Sequence, residues 1–220
     1  MGRFFAFGDS WVHGKGVKYE DTFSYIVANK LGYGEVDFIN LGISGNSNYD
    51  IARQILSMRF LKTDFIFITW TSPHRDDATE LYNKKNYFDN EDMISLDNFP
   101  RYIREAESHL DGHRYKMTQG FNPIFGYDYK LESNPDGSNF IEWGCSNNTL
   151  IDIMTNNWCK DNRENIWMSH SFGLGQRWST KDNEGIHAEL IYDEAIFLPN
   201  DNHPSELGHR MIADKLLTYL

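Results

Sequence analysis

A serine, an imidazole and a carboxylate stand near the two ends of this chain. Gly8-Asp9-Ser10 closes the short apolar run Arg3-Phe4-Phe5-Ala6-Phe7, and Asp201-Asn202-His203-Pro204 precedes the final stretch of sequence. Ser-His-Asp chemistry needs a hydroxyl on a tight turn, an imidazole that takes its proton, and a carboxylate that fixes the imidazole tautomer; chain order is immaterial once the fold gathers them. Ser10, His203 and Asp201 are the candidate nucleophile, base and acid. A third segment, Asn40-Leu41-Gly42-Ile43-Ser44-Gly45-Asn46-Ser47-Asn48, gives a glycine-containing turn ahead of a helix, and backbone N–H groups on such a turn suit a developing oxyanion.

These residues need elements that bring them together. The run 3–8 reads as a buried strand whose exit at Gly8 presents Ser10 at the strand's C-terminal edge, where open α/β sheets bind ligands. A helix about 20–31, a strand 36–41, a helix 47–60 and a strand 65–70 follow, a βαβαβ start. A helix at about 147–161, with Leu150, Ile151, Met154 and Trp158 on one face, leads to a strand over Ile166–His170. Alternation of this kind predicts a parallel sheet covered by helices on both faces. Leu207, Met211, Ile212, Leu216 and Tyr219 recur at helical spacing behind Pro204 and Ser205, so His203 sits in the loop before a last helix. Between Pro73 and Asn148 the pattern weakens, apart from a helix at about Phe99–Leu110. We read 75–147 as a polar, aromatic-rich insertion after the third strand of a single 1–220 domain, serving either as a lid over the sheet edge or as a packing or assembly insert.

Composition narrows the function classes. A net charge of −11 over 220 residues argues against a nucleic-acid binder, which neutralises phosphates with Lys and Arg. No apolar stretch approaches the roughly 20 residues of a membrane span, and no secretory signal precedes the first strand, so a soluble cytoplasmic protein is expected. Cys145 and Cys159 are too few for a disulfide framework or a four-thiolate zinc site.

With Gly8-Asp9-Ser10 at the start, Ser44-Gly45-Asn46-Ser47 after the second strand and Asp201-Asn202-His203-Pro204 near the end, the chain resembles the SGNH or GDSL hydrolase superfamily, in order as well as in motif. The resemblance covers roughly the first seventy and last forty residues. It implies a three-layer, flavodoxin-like parallel sheet and ester hydrolysis through a serine acyl-enzyme, with no metal or organic cofactor. Carried over by position, Ser10 is the nucleophile, His203 the base, and the N–H groups of Ser10 and Gly45 are oxyanion donors. Two positions depart from the family. Its third donor, an Asn after the third strand, is Ser72 here, which leaves Asn46 or Asn48 as substitutes. Its acid lies three residues before the histidine, which is Asn200, whereas Asp201 lies two before. The spelling also resembles a divergent branch associated with bacteriophage and environmental sequences.

Competing readings are weaker. Gly8 to Gly14 is spaced by five residues rather than the four of a phosphate loop, and Gly16 stands where that loop needs Ser or Thr. Glu105, His109 and His113 share a helical face only if the helix runs through Asp111-Gly112, which more naturally ends it. Trp11 and Trp70, at strand ends, could stack on a sugar ring or pack an acyl group beside Asn46, and Trp70 equally suits the core. The expected substrate is a small-molecule or carbohydrate ester, an acetyl ester on a polysaccharide foremost. The rival expectation is a catalytically weak or inactive structural or binding protein, for example a component of a viral particle, and the sequence leaves open a homo-oligomer or a virion partner.

Overall fold

A computed structural model describes residues 2–71, 94–120, 139–141, 150, 166–169, 177–182, 185–189, 198 and 203–220. Strand β1 (Phe4–Phe7) is followed by a single helical turn α1 (Ser10–His13), helix α2 (Phe23–Lys30), strand β2 (Phe38–Asn40), helix α3 (Asn48–Ser57) and strand β3 (Phe65–Trp70). Then come helix α4 (Ile94–His109), strand β4 (Arg114–Gln119), strands β5 (Ile166–Ser169), β6 (Arg177–Asp182) and β7 (Gly185–Glu189), and helix α5 (Glu206–Leu217).

The first four strands form one parallel sheet in the order β2-β1-β3-β4. Every residue of β1 and β3 is buried, as expected of parallel strands covered on both faces. Alternate residues of β1 feed two cores. Phe4 and Ala6 pack with Val27 and Ala28 of α2 and Ile212, Ala213 and Leu216 of α5. Phe5 and Phe7 pack with Ile51, Ala52 and Ile55 of α3 and Phe99, Ile103 and Ala106 of α4. The architecture is the expected three-layer α/β class, with each buried aromatic of β1 contributing about 2–3 kcal/mol by leaving water.

Local sequence sets the element ends. Thr22 caps α2 by accepting from Tyr25 N, and Ser205 caps α5 by accepting from Gly208 N at 3.3 Å. Ser47 and Asp50 form a reciprocal capping box on α3. At the other end of β1, the Arg3 guanidinium and backbone N–H both bond Asp64. Burial alone would raise the Asp64 pKa, but these bonds outweigh it and hold the carboxyl below its usual range.

Two expectations are corrected. The segment 75–147 is not wholly an excursion from the sheet, because its described residues include α4 and β4, and β4 pairs with β3 in parallel from Phe65↔Arg114 to Trp70↔Gln119. The strand over Ile166–His170 exists as Ile166–Ser169, but it pairs antiparallel with β6 in a separate three-stranded sheet β5-β6-β7. An apolar run identifies a strand without naming its partner, and here the partner is the next strand along the chain. The helix expected at 147–161 lies outside the described residues except for Leu150, which is helical and buried. No helix among the described residues is long and apolar enough to cross a membrane.

Candidate active site

Ser10 is the first residue of α1, immediately beyond the C-terminal end of β1, and is 4% exposed. Asp9 fixes this turn from two sides. Its Oδ1 accepts from Trp11 N at 2.9 Å, capping α1, and its Oδ2 accepts from the Thr71 hydroxyl at 2.7 Å. Thr71 follows β3, so the second bond crosses from the end of β1 to the end of β3. In this strand order the connections from those two strands leave in opposite directions, which opens the crevice where such sheets bind ligands.

The 40–48 segment closes the other side. Asn40 Nδ2 donates to Val12 O at 2.8 Å, while Asn40 Oδ1 accepts from Gly42 N at 2.9 Å. A Cβ on Gly42 would collide with the backbone of Val12 and His13, so only glycine lets this loop lie against α1. Gly45 follows in the left-handed region at φ +87°, exposed, with open space where a side chain would be. Among the described residues, neither the Ser10 N–H and hydroxyl nor the Gly45 N–H is committed to a hydrogen bond. Unspent amides on two adjoining turns beside an unspent hydroxyl are what attack on a carbonyl, followed by stabilisation of the resulting oxyanion, requires.

The two asparagines proposed as substitutes are held by the protein. Asn46 Nδ2 donates to Gly8 O at 3.2 Å and to Gln54 Oε1 at 3.3 Å, so both its amide protons are used. Asn48 makes a reciprocal pair with the Thr71 backbone, donating to its O at 3.2 Å and accepting from its N at 2.9 Å. That pair braces α3 against the end of β3. Trp11 and Trp70 are corrected as stacking surfaces: they are 1% and 0% exposed, lie in the two opposite cores, and Trp70 donates its indole N–H to Met117 Sδ at 3.4 Å. Ser72, Asn200 and Asp201 lie outside the described residues.

His203 stands in the loop ahead of α5 and is 8% exposed. Its carbonyl accepts from Leu198 N at 2.9 Å, and Leu198 lies against Gly16, next to Lys15, whose N–H donates to Ser10 O at 3.1 Å. The His203 loop is thus packed on the turn that ends α1. Behind it, His209 is fully buried, stacked on Phe23, with Nδ1 accepting from Phe23 N at 3.2 Å. Burial, and then the neighbouring His203, push the His209 pKa down to about 4, so this imidazole is neutral at pH 7.

Helix α4 ends at His109, which separates it from His113. His109 Nε2 lies 3.0 Å from Met58 O, a bond in which the imidazole must donate, so that nitrogen offers no lone pair to a metal. Among the described residues no three His, Cys, Asp or Glu side chains are grouped to hold an ion.

No protein-family model and no curated protein sequence matches the chain. Solved structures do match over the whole length. A member of the lipolytic protein G-D-S-L family from Veillonella parvula aligns with 99% of this chain and 97% of its own at a TM-score of 0.51 and 15% identity. This chain has the SGNH/GDSL hydrolase fold. A putative lipolytic protein of the G-D-S-L family from Desulfitobacterium hafniense shares that fold over 100% of both chains (TM-score 0.50, 12% identity). So does an alpha/beta hydrolase enzyme from the metagenome of Lake Arreo, Spain, over 99% of this chain and 94% of its own (TM-score 0.51, 13% identity). In this chain Gly8-Asp9-Ser10 stands at the end of β1, Ser44-Gly45-Asn46-Ser47 between β2 and α3, and His203 ahead of α5. Thr71, Asn40 and His209 were not legible as site residues, because their partners are far away in sequence and no local pattern marks them.

Proposed function

We propose that this SGNH-fold chain is a serine esterase acting through an acyl-enzyme. His203 takes the proton from Ser10 Oγ as that oxygen bonds to the ester carbonyl carbon. The carbonyl oxygen becomes an oxyanion facing the amides of Ser10 and Gly45. Collapse breaks the bond to the alcohol, which leaves with the proton held on His203. Water then attacks the acyl-enzyme by the same route in reverse, freeing Ser10 and a carboxylic acid. Asp201, the nearest carboxylate in sequence, orients His203. An O-acetyl ester of a carbohydrate is the substrate we favour, since an uncharged polar substrate suits a protein of net charge −11.

The observation that carries this reading is the pair of adjoining turns at Ser10 and Gly45: a hydroxyl and two amides left uncommitted, with the Ser10 turn tied by Asp9 to Thr71 at the crevice. Intact-mass detection of a fluorophosphonate adduct tests it. One adduct, absent from Ser10→Ala and His203→Ala, is expected. No adduct under conditions that label a known serine esterase would overturn the reading in favour of a binding protein that keeps the fold.

A further inference from the structure

Buried polar side-chain atoms without a partner are not spread evenly over this molecule. Among the described residues there are five, and three of them, Thr69 Oγ1, Thr118 Oγ1 and Gln119 Nε2, fall in the last two register rows of β3 and β4. Below those rows the fully buried side chains are apolar, Ile66, Phe67, Ile68 and Met117, while Arg114, Tyr115 and Lys116 of β4 are exposed or half-buried. Among the buried side chains of β3 and β4, polarity begins at Thr69 and Thr118. There Thr71, the residue after β3, is satisfied by Asp9, while Thr69, Thr118 and Gln119 are not.

Gln119 is the sharpest case. It is the last residue of β4, paired in register with Trp70, and 5% exposed. The backbone beside it is satisfied, with Gly120 N donating to Trp70 O at 2.7 Å, so the unmet demand belongs to the side chain alone. Leaving a buried donor unpaired costs about 1–3 kcal/mol, and an aliphatic residue of the same size would avoid that cost. A carboxamide at the ligand-binding edge of a parallel sheet, one strand from the Asp9–Thr71 crossing, is retained at a loss unless something bonds to it there.

The geometry points to Gln119 as a specificity-determining residue, its side-chain amide donating to an uncharged oxygen of the substrate, a hydroxyl or carbonyl, at the β3–β4 rim. Thr69 and Thr118, one register row away, carry their side chains on the opposite face of the sheet, so this selectivity rests on Gln119 alone, whose free N–H suits a hydroxylated or otherwise hydrogen-bonding ester. It disfavours an aliphatic one, which would leave that group buried and unpaired. This inference rests on the esterase reading.

The test compares two acetyl esters, a mono-O-acetylated methyl glycoside and hexyl acetate, in the parent, Gln119→Met and Gln119→Glu. Methionine keeps the volume without polar hydrogens, and glutamate keeps the shape without the N–H donor, so either variant serves should the other misfold. The ratio of kcat/KM for the glycoside over that for hexyl acetate is expected to fall about tenfold or more in the folded variants. An unchanged ratio, with Ser10 of the parent labelled by fluorophosphonate, would overturn the role of Gln119 and leave the esterase reading standing. A parent that takes no label would overturn both.

Discussion

The two halves of the sheet's C-terminal rim are built differently. On the β1–β2–β3 side, Asp9, Thr71, Asn40, Asn46 and Asn48 bond one another and the backbone. On the β3–β4 side, one strand away, Thr69, Thr118 and Gln119 carry buried atoms with no partner. The first half spends its polar groups on its own geometry. The second keeps them unspent. On the esterase reading proposed above, that division separates the part that holds the nucleophile still from the part that meets the substrate, and the sequence motifs mark the first half only.

The contrast can be broken hardest at Asp9. Asp9→Ala removes the cap of α1 and leaves the Thr71 hydroxyl and the Trp11 N–H without their acceptor. We expect a loss of about 3 kcal/mol in chemical unfolding, because hydrogen bonds to a charged acceptor are among the stronger ones. Fluorophosphonate labelling of the residual folded protein should fall with it. Labelling at the parental rate would show that the Asp9–Thr71 crossing does not position Ser10.

His209 lets the comparison be read through pH. Its folded pKa of about 4 lies below the unfolded value of 6.5, so the unfolded chain binds the extra proton between these limits. Stability from this group is present above about pH 6.5 and is lost progressively as pH falls through about 4, amounting to about 3 kcal/mol. Denaturant midpoints measured from pH 7 to pH 4 should drop less steeply in His209→Gln than in the parent. Parallel slopes would sink this assignment.

Gly45 sharpens the same picture on the smallest scale. A Cβ there meets no atom within 4 Å, so Gly45→Ala carries only the backbone penalty of the left-handed region, about 1 kcal/mol in urea unfolding. A much larger loss would mean that the turn is held by contacts beyond its own dihedral.

What could be read from the sequence follows from how local each signal is. β1 and β3 were legible because Phe4–Phe7 and Phe65–Trp70 are unbroken apolar runs with every residue buried. One turn of helix, as in α1, is too short to show a period. β4 was missed because Arg114-Tyr115-Lys116 opens it with charge, and only Met117, Thr118 and Gln119 are buried. The positions of Ser10 and Gly45 were legible because both sit on turns with their own sequence signature. The Asp9–Thr71 bond spans 62 residues, and no local pattern records such a partner. Trp11 and Trp70 misled for the same reason: adjacency to a strand end is visible in sequence, whereas the direction of a side chain depends on what covers that end.

The contact between Gly42 and the backbone of Val12 and His13 has a dynamic consequence. With no side chain between them, and with Asn40 stitched to both, the turn that presents Gly45 cannot lift away without exposing the helical turn that presents Ser10. The hydrogen-bonded amides of Trp11, His13 and Gly14 and of Gly42, Ile43 and Asn46 therefore belong to one cooperative opening unit, and in native-state hydrogen exchange they should gain and lose protection together.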